Sequence, residues 1–420
     1  MKKVLVVTYY WPPSGGPGVQ RILKFCKYLP EFGWEPIVLT VKNGDYPNMD
    51  YSLEQEVEDL NIRVIKTKTF ELFNLYKLII GKKSLPSFEL NQSKKGFLSI
   101  ISRWLRINCF IPDARKGWIP YGVIAGRDLL TKENIKLIFS SGPPHSLHFI
   151  AKKLKEESKI PWVADFRDPW TDLFYLEGYN RLKISEAKDI EKEMQILSSA
   201  DLVTTVSPSI YNLLMGKNLK NNIEIITNGY DEDDFLEIES IDNTKNSLVI
   251  SYVGSMAKSQ IPKSFFMAIC ELKKKNIPIK IQFIGNVHPE AVLLIEKLEI
   301  TDQINFIGYV SHNEAIKYMS ASNYLLLVVP NTSNNKGIIT GKVFEYLRSK
   351  SPIICIAPTD SDVAKIIHET QCGFIFNYDD SKGIVDLILD PKNIYSKNIY
   401  KYDRKELTGQ LCQLFSNLVN

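Results

Sequence analysis

The chain has little of what several function classes require. Its six cysteines (Cys26, Cys109, Cys270, Cys355, Cys372 and Cys412) are scattered among mostly apolar neighbours with no CxxC pair. They read as buried thiols of a reducing compartment rather than as disulfides or zinc ligands. Histidines number only five, and His145 and His148, at helical spacing, lack an obvious third ligand, so a metal site is not expected. A net excess of either sign is nearly absent: 52 basic against 48 acidic residues leave +4, a balance that does not call for nucleic acid. Long apolar runs are missing too. After Met1-Lys2-Lys3 the first run is only Val4 to Val7, too short for a signal peptide, and none approaches the ~20 residues of a membrane span. The expectation is a cytoplasmic chain that at most touches a membrane.

What is present is a repeated alternation. At roughly 150 residues per domain, 420 residues with 44% apolar content suggest two or three domains. Short β-branched runs alternate with amphipathic stretches, the pattern of parallel strands joined by helical crossovers. Strands are expected at Val4–Thr8, Pro36–Val41, Ile62–Lys66, Ile135–Ser140, Trp162–Asp165, Leu202–Val206 and Ile223–Ile226. After an acidic, polar interruption around Asn228 to Asn246, the alternation restarts with Leu248–Val253, Ile279–Ile284, Ile304–Ile307, Tyr324–Val329 and Pro352–Ile356. The expected fold is α/β, two doubly wound Rossmann-like domains over residues 1–235 and 236–400 facing a central cleft. A last helix over 401–420 is placed to cross back to the first domain. In such sheets ligands sit beyond the carboxyl ends of the strands, which selects the loops that follow.

The first strand runs into Tyr9-Tyr10-Trp11-Pro12-Pro13-Ser14-Gly15-Gly16-Pro17-Gly18 and then a helical pattern. Glycines allow close approach to the backbone, and the first-turn amides favour negative charge. A nicotinamide cofactor is disfavoured, because the loop reads GGPG and strand two ends in Thr40-Val41-Lys42 without an acidic side chain. The plain alternative is a tight turn with no ligand. A second polar loop, Asn331 to Gly337, should line a cleft rather than bury itself. Beyond it Thr340-Gly341-Lys342 opens a helix with a hydroxyl, bare amides and an ammonium, and Glu345 follows one turn later. Glu345 could accept the hydroxyls of a ribose; equally, Lys342 and Glu345 could be a surface pair worth tenths of a kcal/mol. Gly254 ends the first strand of the second domain, with Lys258 and Lys263 able either to neutralise a diphosphate or to stand in solvent. Ser141-Gly142-Pro143-Pro144-His145 and Asp165-Phe166-Arg167-Asp168-Pro169-Trp170 also follow strands, and an Arg167–Asp168 structural pair is the bland reading of the latter.

Gly15-Gly16, Asn228-Gly229, Tyr252-Val253-Gly254, Phe306-Ile307-Gly308-Tyr309 and Gly341-Lys342-Val343-Phe344-Glu345-Tyr346-Leu347 resemble glycosyltransferase family 4, retaining enzymes of GT-B fold, over essentially the whole chain. YYWPPSGGPGVQR, SSGPPHS, ADFRDPW and TGKVFEYL are similar to a branch of bacterial surface-polysaccharide sugar transferases. The resemblance implies a nucleotide-sugar co-substrate and no cofactor. Its base would lie beside Tyr309 and Val310, its ribose on Glu345, and its diphosphate near Gly16, Gly254, Lys258 or Lys263, Thr340, Gly341 and Lys342. It also implies catalytic roles for His145, Asp168 and Lys342, with Gly15, Gly16, Arg167 and Asp168 on the acceptor side. Two positions depart from the family pattern. Gly337 stands where many members carry a Glu, eight before the ribose-binding one, and Ser255 replaces the Arg usual after the strand-end glycine. Lysine must then supply the charge, and metal independence is expected. The rivals are a sugar-nucleotide epimerase of the same fold, and a non-catalytic nucleotide-sugar or glycan-binding scaffold, which Gly337 favours.

Residues 70–119 hold nine Lys or Arg against Glu71, Glu89 and Asp113, and Phe97, Ile100, Ile101, Trp104, Leu105 and Ile107 give an apolar helical face. The segment reads either as a surface helix on an anionic membrane, bringing the enzyme to a lipid-linked acceptor, or as a face packed on the first domain.

Overall fold

A computed structural model of the chain describes residues 1–46, 49–70, 104–105, 107–172, 181–217, 222–236 and 247–419. Most of the basic 70–119 segment, and the polar stretch 237–246, therefore lie outside the described residues. The chain divides into two compact units, residues 1–227 with 404–420, and residues 228–403.

The first unit carries strands β1 (Lys2–Val7), β2 (Trp34–Val41), β3 (Arg63–Thr67), β4 (Ile135–Gly142), β5 (Trp162–Phe166), β6 (Leu202–Thr205) and β7 (Asn222–Ile225). They form one sheet in the order β3-β2-β1-β4-β5-β6-β7, parallel throughout. The inner strands are buried on both faces because helices cover both. Leu5 and Val7 of β1 join one core cluster, while Val4 and Val6 join the other. The second cluster is completed by the final helix, Arg404–Val419, whose Phe415 lies 5.5 Å, ring to ring, from both Trp34 and Phe139.

The second unit repeats the plan with β8 (Leu248–Val253), β9 (Ile279–Ile284), β10 (Ile304–Gly308), β11 (Tyr324–Val328), β12 (Ile353–Ile356) and β13 (Gly373–Phe376), ordered β10-β9-β8-β11-β12-β13. Strand β13 was not expected from the sequence; it is a four-residue edge paired with β12. A Cβ at Gly373 would stand 2.3 Å from the Ile353 carbonyl oxygen, so the edge pairing requires glycine there.

The strand order reverses between β1 and β4 in one sheet and between β8 and β11 in the other. At such switch points neighbouring loops diverge and leave a crevice at the carboxyl ends of the strands. The loops after these four strands are the glycine-rich loop, the SSGPPHS loop, the Gly254 loop and the 330–341 loop.

Candidate active site

In the second unit, three glycines end three adjacent strands with left-handed backbones: Gly254 (φ 104°), Gly285 (φ 121°) and Gly308 (φ 82°). Gly254 N–H donates to the Ile284 carbonyl and Gly285 N–H to that of Gly308, each at 2.6 Å. A side chain at Gly285 would meet the Gly254 carbonyl group at 2.7 Å, so these strand ends close on one another only as bare backbone.

Lys342, the first residue of the helix Lys342–Ser349, reaches back to this place. Its Nζ donates to the Tyr252 hydroxyl at 2.8 Å and to the Ser255 carbonyl at 3.3 Å, and it sits 4.0 Å from the centre of the Tyr252 ring. Its Cε lies 2.6 Å from where a Cβ on Gly254 would be. One turn on, the Tyr346 hydroxyl accepts from Val253 N–H at 2.9 Å, so the helix is fastened to the end of β8 at two points. Burial pushes the Lys342 ammonium down to about 7, with the Glu345 carboxylate opposing that shift. Lysine turns to Tyr252 and Ser255 rather than pairing with Glu345, which corrects the surface-pair reading.

Two threonine hydroxyls of the preceding loop, Thr332 Oγ1 and Thr340 Oγ1, are buried without a hydrogen-bond partner. At the helix start, the Val343 and Phe344 amides turn back to the Thr340 and Gly341 carbonyls. Those of Gly341 and Lys342 have no backbone partner among the described residues. The 331–337 stretch does bury part of itself, contrary to expectation: Asn335 Nδ2 donates to the Pro330 carbonyl and to the Tyr378 hydroxyl, both at 3.0 Å. Of the other predicted donor residues, Tyr309 is 78% exposed beyond β10 and Val310 partly buried. Lys258 is drawn to Glu290 at 2.6 Å, and Lys263 is exposed at the start of the helix Lys263–Lys274. The Lys342 ammonium thus turns to the strand end at Tyr252 and Ser255, whereas that of Lys258 turns to Glu290.

In the first unit Gly16 (φ 111°) precedes the helix Pro17–Tyr28 and accepts from the amides of Val19 and Gln20. Gly18, in the first turn, is pressed against the Arg167 guanidinium; a Cβ there would be 2.0 Å from Arg167 Nη1. Arg167 donates to the Gly142 carbonyl at 3.0 Å and to that of Pro143 at 2.5 Å. Arg167 thus clamps the end of β4 instead of forming the Arg167–Asp168 ion pair of the bland reading. Asp168 is exposed and makes no hydrogen bond or ion pair among the described residues. Ser14 Oγ, in the same glycine-rich loop as Gly15, is fully buried without a partner.

His145 and His148 are core aromatics. His145 stacks on Trp170 at 4.8 Å and His148 on Phe166 at 4.8 Å. Trp162 Nε1 donates to Ser140 Oγ at 2.7 Å, and Ser140 Oγ and His148 Nδ1 share a hydrogen bond of 2.8 Å. His148 Nε2 and both ring nitrogens of His145 have no hydrogen-bond partner among the described residues. Burial holds His145 well below its ordinary range, helped by His148 and Arg167, and pushes His148 to about 3. Both rings are neutral at physiological pH.

The sequence reading missed the centre of this unit. Asp165, fully buried in β5, receives Arg21 through Nε at 3.1 Å and Nη2 at 2.8 Å, Ser141 Oγ at 2.6 Å and Thr204 Oγ1 at 2.8 Å. Arg21 also donates to the carbonyls of Ile226 and Thr227. Asp165 is lowered overall: burial opposes ionisation, but Arg21 and its hydrogen bonds outweigh it. The available signal was two opposite charges at core positions, one within the apolar Trp162–Phe166 run and one on the apolar face of the Pro17–Tyr28 helix.

The chain and its fold have counterparts among known proteins. Residues 95–234 match the model of glycosyltransferase family 4, and residues 233–405 that of glycosyl transferases group 1. Among solved structures the chain is similar to sucrose-phosphate synthase from Thermosynechococcus elongatus, with TM-score 0.66 and 14% identity over 100% of this chain and 99% of the other. It is also similar to HepE from Anabaena in complex with UDP and glucose, with TM-score 0.58 and 12% identity over 100% and 96%. A third is the N-terminal domain of trehalose-6-phosphate phosphatase from Candida albicans, with TM-score 0.63 and 11% identity over 100% and 97%. At these identities the likeness is one of fold. No curated protein sequence matches the chain. Two abutting family models of one enzyme class, carried on two parallel Rossmann-like sheets, support a glycosyltransferase of GT-B fold.

Proposed function

We propose that the second unit binds a nucleotide-diphosphate sugar and that the enzyme transfers the sugar, with retention, to a lipid-linked glycan in surface polysaccharide synthesis at the cytoplasmic face of the membrane. The observation that carries this reading is Lys342. It is a half-buried lysine of near-neutral pKa, held over a side-chain-free strand end by a hydroxyl, a carbonyl and a ring face. It lies beside the position after Gly254 where Ser255 stands in place of the family's arginine. A diphosphate arriving there would meet an ammonium, the Thr340 hydroxyl and the amides that open the helix.

Breaking the anomeric bond puts charge on the departing diphosphate. Donors already fixed in a dry site stabilise that charge more than they stabilise the bound donor, and so accelerate departure. Glu345 would take the ribose hydroxyls and Tyr309 the base. On the first unit, the exposed Asp168 carboxylate would meet the acceptor, with the buried His145 ring behind it supporting the loop by stacking on Trp170. With glycine at 337, the hexose must be gripped without a carboxylate from that position. Metal independence is part of the proposal: turnover should survive EDTA.

The test is a thermal-shift screen of nucleoside diphosphates on the wild type, Lys342→Ala and Glu345→Ala. We expect one diphosphate to raise the melting temperature, Glu345→Ala to weaken its binding, and Lys342→Ala to cut turnover at least tenfold. Unchanged binding and turnover in both folded variants would remove the proposed donor site.

A further inference from the structure

A second concave surface lies in the first unit, beside the loop that ends at Trp170. It has a volume of about 310 Å3 and an apolar floor of Ile111, Ile119, Val123 and Phe149. It is set among the helices Ile119–Lys132, His148–Ser158 and Lys183–Ser199. Around the floor stand Lys116, Lys152, Lys153 and Lys192, against a single carboxylate, Glu156. These charges do not cancel. Lys152 is taken by Glu156 at 2.6 Å. Lys153 reaches only Glu157, at 3.6 Å, and that carboxylate already accepts two bonds from Arg127. Lys192 lies 5.0 Å over the Phe149 ring and Lys116 donates to the Cys109 carbonyl; neither forms an ion pair among the described residues.

Free phosphate would gain nothing from this floor, and neutral hydrocarbon would gain nothing from the ammonium rim. We propose that the groove holds an aliphatic phosphate of a membrane lipid. Its phosphate oxygens meet Lys116, Lys153 and Lys192, and the first carbons of its chain cover Ile111, Ile119, Val123 and Phe149. Lysine suits this geometry because its stem lies along apolar surface while its head stays in water. A volume at the lower end of the roughly 300–1,000 Å3 typical of small-ligand sites admits a headgroup and the start of one chain, the remainder staying in the bilayer. The groove is also connected to the candidate site: Phe149 meets Trp170 edge-on at 6.3 Å, and Trp170 stacks on His145. The proposal concerns binding in the first unit and stands apart from the donor reading, so absence of nucleotide binding would leave it untouched.

The test titrates the full chain with inorganic phosphate, octyl phosphate and octyl glucoside below their micelle concentrations, and with alkyl phosphates of increasing length. Octyl phosphate should bind far more tightly than the other two. Affinity should rise by about fourfold per buried methylene until the chain outgrows the groove. The double variant Lys116→Gln/Lys192→Gln should weaken octyl phosphate at least tenfold without moving the melting temperature, and Ile111→Ser should flatten the chain-length dependence. Vesicles of phosphatidylcholine with phosphatidic acid should co-sediment the wild type more than the double variant. Equal affinity for inorganic phosphate, equal affinity for octyl glucoside, or an unaffected double variant would each overturn the site. Binding of octyl phosphate with no difference between the two proteins on vesicles would overturn the membrane source.

Discussion

At the scale of single residues, Lys342 makes two predictions through protons. Its folded pKa of about 7 lies below its ordinary 10.5, so the unfolded chain binds the proton more tightly than the folded one. Stability should therefore rise with pH between about 7 and 10.5, and Lys342→Met should lose that contribution, measured by melting curves across the range. An anion bound beside the ammonium reverses the shift. At pH 8 a bound nucleoside diphosphate should be accompanied by proton uptake, seen as a dependence of calorimetric heat on buffer ionisation enthalpy, and Lys342→Met should abolish it. The two histidines behave differently. Their folded pKa values lie below the ordinary 6.5, so they are a liability that is absent above pH 6.5 and grows as pH falls towards 3. His145→Phe, which keeps a ring against Trp170, should gain stability relative to the wild type as pH drops through that window. The roles of Lys342 and Glu345 could be framed from a helix start after a strand. The partners of Lys342 could not, because nothing local in TGKVFEYL brings it to Tyr252, ninety residues away in sequence.

At the scale of elements, strand ends and the bare backbone they need were the features best marked in the sequence. Runs such as Leu248–Val253 and Ile279–Ile284 are bounded by glycine and read directly as strands, since a parallel strand covered on both faces is a nearly continuous apolar run. The Gly373–Phe376 edge was missed because four residues carry too little pattern to separate a strand from the end of a helix. Gly285 shows what the glycines do. An alanine there would combine a left-handed φ with a contact of 2.7 Å to the Gly254 backbone. Gly285→Ala should cost at least ~1–3 kcal/mol in denaturant unfolding of the second unit. Because Gly254 is the neighbour displaced, the same substitution should impair nucleotide binding more than an equally destabilising change in the helix Pro289–Lys297.

At the scale of the whole molecule, the alternation of strands and helices made the two-sheet plan readable, and the glycine loops marked the switch-point strands. The buried Arg21–Asp165 pair was not readable, because partners 144 positions apart meet only once the sheet has formed. The final helix closes the first unit by placing Phe415, 0% exposed, against Trp34 and Phe139. Phe415→Ala should lower the stability of that unit by ~3–5 kcal/mol, and calorimetry should show its transition shifted while that of the second unit stays in place. A fragment ending at Thr227 should bind a hydrophobic dye, and a peptide of residues 404–419 added to it should suppress that signal.

The return of Arg404–Val419 to the first unit also sets an order of events during synthesis. A ribosome emits the first 227 residues early, yet the segment that seals their apolar face emerges only after all of the second unit. The first unit must wait with Trp34 and Phe139 uncovered for the time taken to translate some 176 residues, so a newly made chain depends on shelter that the finished enzyme no longer needs.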